Sequence, residues 1–257
     1  MPLDQSARGT PRRGSMALSC RSPGASDWRG LQNLKLSIIT QLFGAESCRT
    51  AAARPGRKIL RIGKISIGSI EDWSLSPGPV TSWHPTPTSA EKARNAPVSS
   101  VPVSYMQEQH LRGHCEQAAS GLEYSRQIIA TCEVAGQCDI AAMNQALNAY
   151  LRRHGTFRSW FEYRGEGDVI RHTLEDAADI EFEPIAHGQM GIEELRKHIV
   201  AIPTPLEWGC FTFGVIQSEN HFTFYASVDH VHGDAALIGI TMLETHGMYN
   251  AFKSGDE

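Results

Sequence analysis

A strand pair that runs straight into a helix near the end of the chain constrains the fold most. Trp208 to Gln217 and His221 to Val228 are rich in aromatic and β-branched residues and are separated only by the turn around Glu219–Asn220, so they read as neighbouring antiparallel strands. Ala235 to about Ala251 then reads as a helix. The same mixture recurs upstream. Ser104 starts a helix to about Ala119, with Gln107 three residues on as in a capping box. Tyr124 to Val134 reads as a strand. Asp139 caps a helix whose apolar face is Ile140, Met143, Leu147, Tyr150 and Leu151, and Gly155 ends it. Phe157 to Tyr163 and Asp168 to Leu174 form a hairpin around Gly165–Gly167, Ile180 to Ile185 a short strand, and Gly191 to Ala201 a helix. Hairpins interleaved with helices exclude an all-parallel, doubly wound sheet and predict an α/β (α+β) fold on a mixed sheet. No internal repeat and no Gly-rich phosphate loop is found.

The N-terminal part has a different character. Residues 1–60 hold ten Arg and Lys against three acids, a balance of +7, whereas the remainder carries 14 basic and 25 acidic residues, or −11. They show no sustained helical or strand periodicity, so they are expected to be a disordered or over-called extension, with the folded lobe spanning 61–257. Within that lobe Ile62, Ile65, Ile67 and Ile70 make a strand-like run, and residues 74–103, dense in Pro and Ser, read as a loop. An apolar content of 41% with 20% charged residues argues against wholesale disorder, and a net charge of −4 gives no reason to expect nucleic acid as a partner. None of the six cysteines forms a CxxC pair, so they read as reduced thiols. The apolar stretch Leu34 to Phe43 is interrupted by Lys35, Ser37, Thr40 and Gln41, too short and too polar to span a bilayer. The expectation is a cytoplasmic protein, with peripheral contact at the inner face of a membrane left open.

Titratable groups concentrate at the last strand-to-helix junction, Ser227-Val228-Asp229-His230-Val231-His232-Gly233-Asp234-Ala235. Three readings compete for it. His230 is a general base with Asp234 organising its loop, as HxxxD. Alternatively His230, His232 and Asp234 ligate a metal, as HxHxD. The third reading is structural, with Asp234 capping the helix. The metallo-β-lactamase motif that the second reading resembles needs a His after the Asp, where this chain has Ala235, and His246 is the sole His further on. The expectation is therefore no metal.

Other segments bear on the first reading. Asp229 to Ala235 resembles the HHxxxDG signature of peptide-synthetase condensation domains, with Asp229 in place of the first His and Ala235 in place of the Gly. Ser104-Tyr105-Met106-Gln107-Glu108-Gln109-His110-Leu111 resembles that superfamily's first core motif, SxAQxRLW, and Arg153-His154-Gly155-Thr156-Phe157-Arg158-Ser159-Trp160-Phe161 its second, RHxxLRTxF. All three stand in the expected order. Fourteen residues separate Asp234 from Tyr249, similar to the HX3DX14Y pattern of polyketide-associated (Pap) acyltransferases. The stretches Arg61 to Trp73, Pro97 to Tyr105 and His221 to Ser227 look like the trehalose-acylating members of that family.

The resemblance implies the N-terminal lobe of a chloramphenicol-acetyltransferase-like fold that is normally two-lobed, with the second lobe absent here. It implies transfer of a fatty or polyketide acyl group to a hydroxyl of a trehalose-type sugar or glycolipid. The co-substrate would be an acyl-CoA or acyl carrier-protein thioester, the carrier belonging to a polyketide synthase, and no bound cofactor is expected. His230 would be the base and Asp234 the organiser of its loop, paired with an Arg for which Arg158 is one candidate, a surface role on a strand being the alternative for that residue. Tyr249 is a further supporting residue, with core packing the simpler role. Local roles are expected for His154 and His232. A catalytically inactive remnant with a binding role is the alternative, and a metallohydrolase ranks last.

Overall fold

The computed structural model describes residues 37–40, 60–62, 65–68, 70, 77–122 and 126–255. Its strands are β1 (Ser37–Thr40), β2 (Leu60–Ile62), β3 (Ile65–Gly68), β4 (Gly78–Pro85), β5 (Gln127–Ala135), β6 (Ser159–Gly165), β7 (Asp168–Thr173), β8 (Phe182–Met190), β9 (Phe211–Gln217) and β10 (His221–Asp229). The helices are α1 (Pro87–Arg94), α2 (Tyr105–Ala119), α3 (Ile140–Arg153), α4 (Ile192–Val200) and α5 (Ala235–Ser254). Eight strands form one sheet in the order β2-β3-β1-β5-β10-β9-β4-β8, and β6 with β7 makes a separate hairpin. The β1–β5 pair is parallel and the other described pairs are antiparallel, so the sheet is mixed as expected. The expected extension over residues 1–60 lies outside the described residues except at Ser37–Thr40 and Leu60, which are in strands.

The alternation of strand side chains sorts the sheet into two packed faces. Phe211, Phe213, Phe222, Phe224, Trp83 and Ile128 point to one face and meet Met143, Leu147 and Tyr150 of α3 and Ile238, Met242 and Tyr249 of α5. Val80, Ile129, Ile216 and Tyr225 point to the other and meet Leu195 and Ile199 of α4. The tyrosine fits there because β9 has Gly214 beneath it, where a Cβ would lie 2.3 Å from the phenol oxygen. On this second face the Oγ of buried Ser82 lies 2.7 Å from Nε2 of both His84 and His187 and 3.2 Å from Nε2 of His198. The hydroxyl thereby ties β4, β8 and α4 together.

Local capping signals carried through. Ser104 and Gln107 form the reciprocal capping box of α2, Asp139 caps α3, and Gly255 ends α5 in the left-handed conformation at φ 78°. The expected loop over 74–103 is corrected: it contains β4 and α1. Its prolines fall where proline is tolerated. Pro79 and Pro85 lie outside the Val80–Trp83 stretch that pairs with β9, and Pro87 opens α1 behind the Thr86 cap. The short strand expected at Ile180 to Ile185 is also corrected, to the longer β8. Seven of its nine residues are exposed, so it lacks an apolar alternation, and pairing with β4 supplies its order. Among the described residues no helix is long and apolar enough to cross a membrane.

Candidate functional site

The site grows out of the end of β10. Asp229 is its last residue, 4% exposed, and its carboxylate is used twice: Oδ1 accepts from Val231 N at 2.8 Å and from His110 Nε2 at 2.7 Å. One bond closes the turn on itself and the other ties it to α2. One helical turn earlier, Gln107 donates from Nε2 to Val231 O at 3.0 Å while its Oε1 accepts from Ser104 N. Residues three apart share a helix face, so Gln107 and His110 grip the same turn.

The other flank is held by His232, which is 5% exposed. Its Nδ1 donates to Thr156 O at 3.1 Å, and Thr156 Oγ1 donates back to His232 O at 2.8 Å. That sets the tautomer, leaving Nε2 to accept the thiol proton of Cys210 at 3.0 Å. Both groups stay neutral. Burial pushes the imidazole pKa down to about 4 and drives the Cys210 thiol well above its ordinary value. Phe157 and Phe211 pack against this ring at centroid distances of 5.8 and 5.3 Å.

Between the two anchors stands His230. Its backbone N–H donates to Arg126 O at 2.8 Å, while its side chain is exposed. The ring lies 6.4 Å from that of His110, and among the described residues neither ring nitrogen has a hydrogen-bond partner. An imidazole on a fixed backbone with uncommitted nitrogens can take up and return a proton. The three segments singled out in the sequence therefore form one structure: α2 holds one side of the turn, the Thr156–Phe157 segment the other, and His230 projects between them.

The remaining expected residues are placed differently. Asp234 is exposed and caps α5, with Oδ1 accepting from Ala236 N at 2.9 Å and Leu237 N at 3.1 Å. Among the described residues it has no cationic partner, which corrects the expected pairing with Arg158. The carboxylate is committed to the helix amides, and Arg158 lies in a 3₁₀ turn at Gly155–Arg158, donating from Nη1 to Leu174 O at 3.3 Å and Glu175 O at 3.0 Å. Tyr249 is buried at the opposite end of the sheet. Its ring is 5.7 Å from that of Phe222, and its hydroxyl accepts from Asp139 N at 3.1 Å. Phe222 precedes Asp229 by seven residues, about 23 Å of strand, and α5 covers a similar length between Asp234 and Tyr249. The fourteen-residue spacing is thus the length of a helix running back along β10. The HxHxD residues do not converge, since His232 is enclosed by Thr156 and Cys210. Among the described residues no cluster of His, Cys, Asp and Glu could hold a metal ion. His154, expected to be locally satisfied, donates to Glu244 Oε2 at 2.7 Å.

Sequence reasoning missed the supporting layer. The i, i+3 spacing of Gln107 and His110 was a usable signal for a helix face turned to the site. Cys210 carried no signal, because its partner is set by the register of β9 against β10.

The chain has clear relatives among known proteins. The chain is 52% identical over 197 residues to the acyltransferase PapA3 of Mycobacterium tuberculosis, covering 77% of this chain and 42% of that protein. It is 51% identical over 197 residues to the 2'-acyl-2-O-sulfo-trehalose (hydroxy)phthioceranyltransferase PapA1 of the same organism, 39% of which is covered. The solved structure of PapA2 acyl transferase superposes with a TM-score of 0.69 at 48% identity, over 73% of this chain and 41% of that one. The chain thus spans about two-fifths of the length of these relatives. The Condensation domain model matches residues 99–257, which include α2, the second motif and the whole His230 turn. On that match, over more than half its length, the chain belongs to the condensation-domain family.

Proposed function

We propose that the chain carries the base-bearing part of an O-acyltransferase that moves a fatty or polyketide acyl group from a thioester to a hydroxyl of a trehalose-type glycolipid acceptor. The observation that supports this best is the exposed His230 imidazole, with both nitrogens uncommitted among the described residues, on a turn fixed from two sides by buried hydrogen bonds. As the acceptor oxygen attacks the thioester carbonyl, His230 takes the hydroxyl proton. The tetrahedral intermediate collapses with cleavage of the carbon–sulfur bond, and the imidazolium returns the proton to the leaving thiolate. An ester and a free thiol result, and no acyl-enzyme is required. The donor is an acyl-CoA or an acyl group on a polyketide-synthase carrier, and the lipid product suits a protein working at the inner surface of a membrane.

The test follows ester formation by mass spectrometry with an acyl-CoA and trehalose or trehalose 2-sulfate. It is run with the chain alone and with the C-terminal portion of a relative supplied in trans, since the match covers only about two-fifths of those relatives. Transfer is expected to fall about 10²- to 10⁴-fold in His230→Ala. Near-wild-type turnover in that variant removes His230 from the chemistry, and absence of ester in both arms counts against acyl transfer.

A further inference from the structure

Among the described residues, two arginines beside the His230 turn lack a counter-ion. Arg171, on β7, spends its Nε and Nη2 on a single neutral oxygen, Ser159 Oγ, at 3.0 and 2.9 Å. Arg158 gives Nη1 to two carbonyl oxygens, while its buried Nε has no acceptor among the described residues. Both side chains are linked to Gly155, Arg158 directly and Arg171 through Ser159. Arg158 Nη2 lies 3.4 Å from where a Cβ on that glycine would sit, and Ser159 Oγ lies 3.4 Å from its carbonyl oxygen. Among the described residues no carboxylate reaches ion-pair distance of either. Glu244 is engaged with Arg153 and His154, Glu162 with Arg164, and Glu175 offers Arg158 only its backbone oxygen.

This arrangement works against itself unless something negative joins it. Partial burial and the neighbouring Arg158 charge push the Arg171 pKa below its ordinary value. The Arg171 charge also reaches His232, whose imidazole it pushes further toward the neutral form, which puts Arg171 near the His230 turn. Half-buried guanidinium groups ordinarily face a carboxylate or a phosphate, which match their fork of donors.

We propose that Arg171 and Arg158 form a binding site for a sulfate or phosphate monoester. The planar forks supply several charge-assisted bonds to one tetrahedral oxyanion, and the ligand supplies the missing negative charge. Assigning that oxyanion to a substrate rests on the acyl-transfer reading; the existence of the anion site does not. Two sources share the chemistry: the 3'-phosphate of a CoA donor and a sulfate ester on the acceptor sugar.

The experiment titrates the full chain with sodium sulfate and with phosphate at constant ionic strength, by calorimetry. Saturable binding is expected in the wild type, in the exposed control Arg164→Gln and in His230→Ala, which loses only transfer. Arg171→Gln is expected to weaken binding about 10- to 100-fold, the span of a charge-assisted hydrogen bond, with Arg158→Gln weakening it in the same direction. Should Arg171→Gln fold poorly, Arg158→Gln and Arg171→Lys carry the comparison. Absence of saturable binding, or binding unchanged in the two glutamine variants, overturns the site. Competition with sulfate by CoA but not dephospho-CoA assigns it to the donor, and competition by a sulfated but not a plain disaccharide assigns it to the acceptor. Failure of both larger ligands to compete overturns the substrate assignment.

Discussion

Asp234 separates two physical accounts of the same motif, and its substitution by Asn distinguishes them. In the structure its Oδ1 accepts two hydrogen bonds at the first turn of α5, from Ala236 N and Leu237 N, and the side chain is exposed. Asn keeps an oxygen at the same place and ranks with Asp as an N-cap, so Asp234→Asn removes only the attraction between a full charge and the helix N-terminus, about 0.3–1 kcal/mol. Asp234→Ala removes the acceptor as well and should cost about 0.5–2 kcal/mol. Were Asp234 instead half of a buried ion pair with an arginine, Asn would leave an uncompensated charge and cost about 3–5 kcal/mol. Urea unfolding with linear extrapolation resolves these ranges if the slopes of wild type and variants agree. The expected order is wild type, Asn, then Ala, with Asn close to wild type. A loss of about 3 kcal/mol or more in Asp234→Asn would refute the capping account and restore the ion pair.

Two further outcomes follow from the geometry. Tyr249→Phe removes the acceptor for Asp139 N at the start of α3 and should cost about 1 kcal/mol in urea melts, while leaving transfer at wild-type rate because it lies about 23 Å of strand from the His230 turn; a large loss of turnover at unchanged stability would make Tyr249 a functional residue. For pH, His232 is held at about 4 by burial against an ordinary value near 6.5, so between those values the unfolded chain binds a proton that the folded chain refuses. Its contribution is therefore complete above about pH 6.5 and is lost as pH falls toward 4, by up to roughly 3 kcal/mol, and His84 and His198, lowered by burial and by the His187 charge, act in the same direction. Unfolding free energies measured across that window should fall less steeply in His232→Gln than in wild type, and parallel curves would contradict the buried, neutral assignment.

The chain by itself determined the features that depend on neighbours a few residues away. The capping box of Ser104 and Gln107, the Asp139 cap, the apolar face of α3 and the β9–β10 hairpin are written in spacings of two to four residues, and each is legible there. The sequence also places His230 at a strand-to-helix turn, because a β-branched and aromatic run ending before a helical one marks that junction. What it could not supply was every role decided by register. His110 and Asp229 are 119 residues apart and meet because β10 lies between β5 and β9 with α2 packed beside its end. Cys210 reaches His232 through the same register, and β8 acquires its order from β4 rather than from its own exposed side chains. Asp234 and Tyr249 stood in the motif as if they served one site. The structure separates them, because α5 rises about 1.5 Å per residue and carries the tyrosine to the far end of the sheet while the aspartate stays to cap the helix. Local propensity sets which element forms; only the packed sheet, with its fixed strand order, sets which side chains share a site.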